Sequence, residues 1–156
     1  MLKYSLPAVA LLAVGLSACL DDPTSNPACE PYSNAVTGTA GDTIITQVGL
    51  RYIEVAEGSS QQEARWCSLA VVQYSGQLVN GTVFDSGTLD FTPGAANIIA
   101  GFQFGVVGMN VDEQRRLIIP PSLGYRDQTV SDPQTGEVVI PANSTLIFDV
   151  QLVSTQ

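Results

Sequence analysis

Three large aromatic side chains and a carboxylate lie close together in sequence beside glycine-rich turns. They are Tyr74, Phe84, Asp85 and Phe91. In a strand-rich chain such rings most often pack in a core, and this interpretation stays open on the pattern alone. More aromatic and β-branched residues recur next to turns at residues 97–102, 117–125 and 140–148. The recurrence favours a concave apolar pocket that is lined from several strand ends and binds an apolar group.

The charge of the chain excludes two classes of partner. Its 156 residues have 45% apolar content, which suits one domain with a core of its own. The formal net charge is −9, histidine is absent, and no lysine follows Lys3. Nucleic acids and anionic lipid surfaces both attract basic faces. We therefore expect neither nucleic-acid binding nor electrostatic docking on a lipid surface.

The first 18 residues have the pattern of a targeting segment. Lys3 precedes an apolar run at residues 6–16 that is too short to span a bilayer. The run ends in Leu-Ser-Ala-Cys at residues 16–19, which resembles the lipobox of bacterial lipoproteins. Cys19 would then carry a lipid and anchor the protein to a membrane of the bacterial cell envelope, facing the periplasm or the exterior. An ordinary secretory peptide cut nearby is the alternative.

Residues 19–46 are predicted to form a flexible tether ahead of a domain at 47–156. Residues 21–27 contain two prolines and show no hydrophobic periodicity, as expected of an extended linker. Cys29 and Cys67 form an even pair in a chain that we expect to be exported. We predict that they form a disulfide, with two separate free thiols as the alternative.

Hydrophobic periodicity predicts a mostly β domain with one short helix. Strands are expected near residues 50–55, 69–74, 115–119 and 146–152, and the last alternates apolar and polar residues. Apolar residues at i and i+4 steps predict a helix within residues 98–107, although Gly101 and Gly105 weaken it. The fold class is therefore α+β, an antiparallel sheet over a short helix. We expect the Arg115-Arg116 pair to be a solvated strand end.

Residues 50–153 resemble an FKBP-type peptidyl-prolyl cis-trans isomerase domain. The motifs that carry the resemblance are Val72-Gln-Tyr74-Ser-Gly-Gln-Leu, Asn80-Gly81, Phe84-Asp85-Ser86, Ile98-Ile99, Gly101-Phe102, Gly105, Gly108-Met109, Arg116-Leu-Ile-Ile-Pro-Pro121, Gly124-Tyr125 and Ile140-Pro-Ala-Asn-Ser-Thr-Leu-Ile-Phe148. The resemblance implies a curled antiparallel β-sheet wrapping one short α-helix. This is the fold class that periodicity predicts independently.

The resemblance also implies the site residues. Catalytic positions would be Tyr74, Asp85, Ile99, Phe102, Tyr125 and Phe148. Substrate-binding positions would be Phe84, Phe91, Ile98, Val139 and Ile140. The Ile99 N–H and the Tyr125 hydroxyl would donate to substrate carbonyls, and the Tyr74 hydroxyl would hold Asp85. No metal or cofactor is implied.

The implied function is isomerisation of Xaa-Pro bonds in exported proteins, with macrolide ligands of the family as further binders. A non-catalytic binding or chaperone module on the same scaffold is the alternative. This sequence departs from the family pattern at Arg126, where glycine is usual, and in a long polar loop at residues 127–137. We expect the loop either to fold over the pocket or to extend away from it.

Overall fold

The computed structural model of the chain describes residues 41–95 and 97–156. The predicted signal segment, most of the predicted tether, Cys19 and Cys29 lie outside the described residues. The elements follow in the order β1 Thr43–Ile45, β2 Arg51–Ala56, β3 Ala70–Leu78, β4 Val83–Phe91, α1 Ala100–Val106, β5 Gln114–Ile119, a 3-10 turn Pro121–Leu123, β6 Val130–Ser131, β7 Val138–Ile140 and β8 Leu146–Thr155.

The main sheet has six antiparallel strands in the order β1-β2-β5-β8-β3-β4. Strands β6 and β7 form a separate two-stranded sheet. The predicted α+β class, an antiparallel sheet with one short helix, is confirmed. None of the helices within 41–95 and 97–156 is long and apolar enough to cross a membrane.

One face of the sheet carries the core, because side chains alternate between the two faces of a strand. In β8, Leu146, Phe148, Val150 and Leu152 are all buried, as the alternation predicts. The intervening Asp149 and Gln151 lie on the opposite, wetter face. Helix α1 packs over the buried face and contributes Phe102 and Val106 to the core.

Helix α1 keeps its two glycines because it lies very close to β5. A Cβ added at Gly101 would lie 2.4 Å from Cγ2 of Ile119, and one at Gly105 would lie 2.4 Å from Cδ1 of Leu117. Glycine lowers helix propensity by about 1 kcal/mol relative to alanine. The cost is offset here by close backbone approach to the sheet, which packs the helix against the core.

The sheet begins four residues before the predicted start of the domain at residue 47. Strand β1 lies within the segment that we predicted as tether, and it pairs with β2. The Thr46 hydroxyl accepts a hydrogen bond from the Leu50 N–H at 3.1 Å and Thr46 is buried. The composition of the predicted tether did not reveal strand β1, because the stability of β1 comes from its pairing with β2, further along the chain.

Candidate active site

Aromatic rings from four elements converge on the core face of the sheet. Their centroids are 5.9 Å apart for Tyr74 and Phe102, 5.2 Å for Phe102 and Phe148, and 5.5 Å for Phe84 and Phe148. Phe91 lies 5.7 Å from Phe102. These separations are typical of edge-to-face aromatic contacts. The structure thus brings together the rings that the sequence only suggested as a group.

The pairing of β3 with its neighbours explains why two of the rings meet. Gly76 of β3 lies opposite Phe148 of β8, and the register of β3 with β4 shifts at the same point. A Cβ at Gly76 would lie 2.7 Å from both the Phe84 and Phe148 rings. The absent side chain and the bulge together let Phe84 turn toward the pocket.

The Tyr74 hydroxyl donates to Oδ2 of Asp85 at 2.8 Å, the contact that the family resemblance implied. Burial of the phenol is the main cause that raises the pKa of Tyr74 to about 12, and the hydrogen bond to Asp85 and the charge of that carboxylate add to it. Burial, followed by the Asp85 charge, also raises the pKa of Tyr125. Phenols are protonated at neutral pH, and the raised pKa values keep both hydroxyls protonated into more alkaline solution.

The start of α1 presents a backbone donor beside the rings. Ile99 is the N-cap residue, and its carbonyl accepts from the Phe102 N–H at 3.1 Å. Among the described residues, no acceptor is bonded to the Ile99 N–H. Gln103 Nε2 donates to the Ile98 carbonyl at 2.7 Å, and Gln103 Oε1 accepts from the Gly94 N–H at 2.8 Å. Gln103 thus ties the segment before the helix to the helix itself.

Sequence reasoning missed the role of Gln103. The available signal was its position, since a polar residue stands between Phe102 and Phe104 in an otherwise apolar helix. Buried polar side chains are usually hydrogen-bonded, which makes such a residue a candidate for a structural bond.

The accessible part of the site differs from its floor. Among the predicted site residues, the half-buried ones are Tyr74, Phe84, Ile98, Ile99, Tyr125 and Val139. The buried residues beneath them are Phe91, Phe102, Ile140 and Phe148. Ile140, predicted to contact substrate, is only 3% exposed and belongs to the core cluster. Asp85 is exposed at the edge of the site.

The polar loop at 127–137 forms an ordered hairpin of its own. Asp132 Oδ1 accepts from the backbone N–H groups of Gln134 and Thr135, at 2.7 and 3.1 Å, which closes the turn between β6 and β7. At the base of the hairpin the Asn143 N–H donates to the Arg126 carbonyl at 2.6 Å. Arg126 has φ 57°, the left-handed conformation that explains why the family prefers glycine there.

The expectation that Arg115 and Arg116 form a solvated strand end is wrong for Arg115. Arg115 is 8% exposed and pairs with the buried Glu113, whereas Arg116 pairs with Asp149 at the surface. The alternation of β5 contained the signal, because position 115 is in phase with the buried Leu117. A charged residue at an inward position indicates a paired, buried cation.

A separate hollow of about 560 Å³ lies mainly over the opposite face of the sheet. Its lining includes Ile53, Gln73, Ser75, Arg116 and Asp149. The Arg116–Asp149 ion pair lies across this face, with Nε 2.6 Å from Oδ1. Tyr74 also lines this hollow, but the rings of Phe84, Phe91, Phe102 and Phe148 do not.

The fold places a cluster of aromatic rings between an antiparallel sheet and one short helix, and this architecture is that of a known class of protein. Residues 60–153 match the model of the family described as FKBP-type peptidyl-prolyl cis-trans isomerase. The chain belongs to this family, which includes isomerases and FK506-binding proteins.

Two FK506-binding proteins are similar to this chain over part of its length. FK506-binding protein 2 of Dictyostelium discoideum is 48% identical over 87 residues, which cover 53% of this chain and 61% of that protein. FK506-binding protein 1A of Neurospora crassa is 37% identical over 110 residues, covering 67% of this chain and 87% of that protein. The chain thus spans less than two thirds of the first of these relatives.

Solved structures of similar proteins agree with the fold. AtFKBP13 superposes with a TM-score of 0.65 and 29% identity, covering 74% of this chain and 99% of AtFKBP13. FkpA from Escherichia coli superposes with a TM-score of 0.61 and 29% identity, covering 73% of this chain and 51% of FkpA.

Proposed function

We propose that the domain catalyses cis-trans isomerisation of Xaa-Pro bonds in exported polypeptides, through its apolar pocket and without covalent or acid–base chemistry. The observation that carries the proposal is the convergence of Tyr74, Phe102 and Phe148 from β3, α1 and β8. These rings form a ready site for a prolyl ring, and membership of the isomerase family supports this activity.

The reaction needs a pocket of this kind because its barrier comes from amide resonance. Rotation about the C–N bond costs about 18–20 kcal/mol, since the planar amide loses its partial double bond. The twisted amide has less charge separation than the planar one and loses less on leaving water. A largely dry aromatic site therefore stabilises the twisted state over the ground state, which accelerates rotation.

Two donors hold the substrate while its amide rotates. The Ile99 N–H lies at the start of α1 without a partner among the described residues, and the Tyr125 hydroxyl is protonated at neutral pH, as a phenol normally is. Fixing the carbonyls on either side of the prolyl bond restricts the reacting segment to one geometry. The Tyr74–Asp85 hydrogen bond orients one wall of the pocket.

The proposal is tested with an Ala-Leu-Pro-Phe peptide, whose cis-trans exchange is followed by NMR. We expect catalysed exchange in the native protein. In Tyr125→Phe, kcat/KM should be lower by about tenfold, because the variant lacks one neutral hydrogen-bond donor to the substrate. Asp42→Asn, at an exposed carboxylate before β1, serves as the control and should retain full activity. Exchange at the uncatalysed rate in the folded protein would instead favour the non-catalytic binding module.

Binding of macrolide ligands is a separate test of the same pocket. FK506-binding proteins are among the relatives, and we propose that this pocket also binds such ligands. Calorimetry with FK506 should show saturable binding that Phe148→Ala weakens. Absence of heat with the folded native protein would contradict the proposal.

We also infer that the protein is exported and anchored through a lipid on Cys19, in the bacterial cell envelope. The apolar run at residues 6–16 and the Leu-Ser-Ala-Cys motif support this location. Metabolic labelling with palmitate should mark the native protein and not Cys19→Ser. A labelled Cys19→Ser variant would contradict the assignment.

A disulfide between Cys29 and Cys67 belongs to the same proposal. Cys67 lies just before β3, where its N–H donates to the Pro93 carbonyl at 3.0 Å, so the bridge would attach the N-terminal segment beside the pocket-bearing strands. Intact-mass measurement after alkylation, with and without reductant, tests it. Two alkylated thiols in the unreduced native protein would contradict the pairing.

A further inference from the structure

Strand β4 is the outer strand of the main sheet and has a neighbour on one side only. Within residues 41–95 and 97–156, β4 pairs with β3 and with no other strand. It runs for nine residues, from Val83 to Phe91. Its register with β3 is continuous from Phe91 to Asp85, and the only shift lies at the far end beside Gly76. A long stretch of regular strand edge therefore faces outward.

The direction of the backbone groups of β3 follows from hydrogen bonds at its two ends. The Leu69 carbonyl accepts from the Gln156 N–H at 3.0 Å, so Leu69 faces β8 and the next residue, Ala70, faces β4. At the other end the Leu78 N–H donates to the Thr82 carbonyl at 2.9 Å, on the β4 side. Since backbone direction alternates along a strand, every second residue from Ala70 to Leu78 bonds toward β4.

This alternation identifies the open groups of β4. The residues of β4 opposite Ala70, Val72 and Tyr74 are Phe91, Leu89 and Gly87, whose backbone groups bond to β3. The N–H and C=O groups of Ser86, Thr88 and Asp90 therefore point away from the sheet. All three residues are exposed, and no other strand of the described residues pairs with this edge.

Exposed edges usually carry protection against pairing with other chains. Charged side chains, lysine above all, proline, strong bulges or a covering segment are the common devices, and the only charged side chains of β4 are the carboxylates of Asp85 and Asp90. Between residues 83 and 91 there is neither lysine nor proline, and the bulge lies at one end. The same strand supplies Phe84, Asp85 and Phe91 to the pocket, so the open edge adjoins the site where a prolyl ring would bind.

We propose that the β4 edge binds an extended segment of the client polypeptide as an added strand, while a proline of the same client occupies the pocket. This inference rests on the proposed function and names its substrate class: unfolded chains that are extended and basic beside the proline. Main-chain hydrogen bonds to Ser86, Thr88 and Asp90 would supply affinity with little dependence on sequence. A six-residue client segment spans about 20 Å, the length of this edge.

The negative charge of β4 favours a basic client segment over a second copy of the chain as the added strand. Asp85 and Asp90 are exposed on β4, which has no cationic residue, and the whole chain has a net charge of −9. A basic client segment would be attracted to this edge. A second copy of the chain would instead bring the carboxylates of two β4 strands together, and like charges directly opposite destabilise strand pairs.

The test compares three proline peptides as substrates of the full chain: Ala-Leu-Pro-Phe, the same sequence extended by six residues with lysines, and the same extension with glutamates. We expect a KM about tenfold lower for the basic long peptide than for the tetrapeptide, a difference that a few net hydrogen bonds supply. Thr88→Pro removes one outward N–H and leaves the β3 ladder intact, so it should abolish this advantage with unchanged kcat/KM for the tetrapeptide. Thr88→Val keeps the N–H and should retain the advantage.

Results other than these would contradict the binding of a client segment at the β4 edge. A basic long peptide that keeps its advantage in Thr88→Pro, or equal KM values for basic and acidic extensions, would overturn it. A native dimer in sedimentation that Thr88→Pro dissociates would assign the edge to a second copy. If Thr88→Pro fails to fold by circular dichroism, Asp90→Lys replaces it; this variant has one carboxylate and one ammonium group on β4 and should abolish the preference between the two extensions.

The proposed isomerase activity fails in a distinguishable way. An inactive native protein would show no catalysed exchange of the tetrapeptide. Calorimetric binding of the basic long peptide, with Thr88→Pro and Thr88→Val as the matched pair, tests the edge without any turnover. Loss of binding in Thr88→Pro alone supports the edge, and equal binding by both variants overturns it.

Discussion

Arg115 and Glu113 form a buried ion pair at the end of helix α1, with Nε 2.5 Å from Oε1. The guanidinium also donates to the carbonyls of Gly105 and Gly108, at 3.1 and 2.8 Å, and lies 4.7 Å from the centre of the Tyr52 ring. The last carbonyls of a helix lack partners within it and favour a cation nearby. Arg115 therefore anchors the end of the helix that carries Phe102.

Replacing Arg115 should cost far more stability than replacing its neighbour. We expect Arg115→Ala to lower the free energy of unfolding by about 3–5 kcal/mol, because Glu113 would be left buried and unpaired. Arg116→Ala breaks a half-exposed pair with Asp149 and should cost less than about 1 kcal/mol. Urea denaturation of the two variants measures the difference in the free energy of unfolding. Equal losses would contradict the anchoring role of Arg115.

Gly76 should be essential to the pocket and Gly87 should not. Alanine at Gly76 would displace the Phe84 and Phe148 rings, since its Cβ would lie 2.7 Å from both. A Cβ at Gly87 meets nothing within 4 Å. We expect Gly76→Ala to lower kcat/KM for a proline peptide by about tenfold, through misplacement of the rings, and Gly87→Ala to match the native protein. Equal activity in both variants would show that the ring positions do not matter.

Gly105→Ala offers a test in which two effects have opposite signs. Helix propensity alone predicts a gain of about 1 kcal/mol. The added Cβ, however, would lie 2.4 Å from Cδ1 of the fully buried Leu117, and overpacking of a core typically costs about 1–3 kcal/mol. We expect net destabilisation in thermal or urea unfolding. A more stable variant would mean that helix α1 moves away from β5 at little cost.

Alkaline stability should depend on Tyr74. Its pKa is raised to about 12 in the folded protein from 10, mainly by burial, so the folded state binds the proton more tightly than the unfolded state. The resulting stability is fully present below pH 10 and is lost as the pH rises toward 12. Tyr74→Phe should therefore lose stability less steeply than the native protein over that range. Urea midpoints at pH 8, 10 and 11 measure both slopes, and parallel slopes would contradict the prediction.

Arg126 and Asn143 offer a matched pair for backbone strain. Both have positive φ, 57° and 59°, and they are joined by a backbone hydrogen bond at the base of the β6–β7 hairpin. Asparagine tolerates this conformation better than arginine does. Arg126→Gly should raise the free energy of unfolding by about 0.5–1 kcal/mol, and Asn143→Gly by less. A larger gain in the free energy of unfolding for Asn143→Gly than for Arg126→Gly would mean that Asn143 is the more strained residue.

Within the described residues, the pattern of apolar residues predicted the helix and four of the eight strands, β2, β3, β5 and β8. The alternation of apolar and polar residues in β8 and the i, i+4 spacing of apolar residues in α1 predict which side chains are buried. They do so because the period of a strand or helix fixes which residues share a face. The residues of the site were proposed from a family resemblance, and the structure shows contacts among five of their rings, those of Tyr74, Phe84, Phe91, Phe102 and Phe148. Strand β1 was missed because a three-residue strand carries little periodic signal and depends on β2 for its stability.

The sequence alone determined the class of fold, the apolar character of the site and the absence of histidine from its chemistry. Tertiary structure decided which polar groups are buried and which edges are open. The alternation of β5 places Arg115 at an inward position, but only the packing of α1 supplies the carbonyls to which it donates. In the same way, only the order of strands in the sheet leaves β4 at the edge. Both outcomes depend on contacts between distant segments, whose energies no local pattern of residues contains.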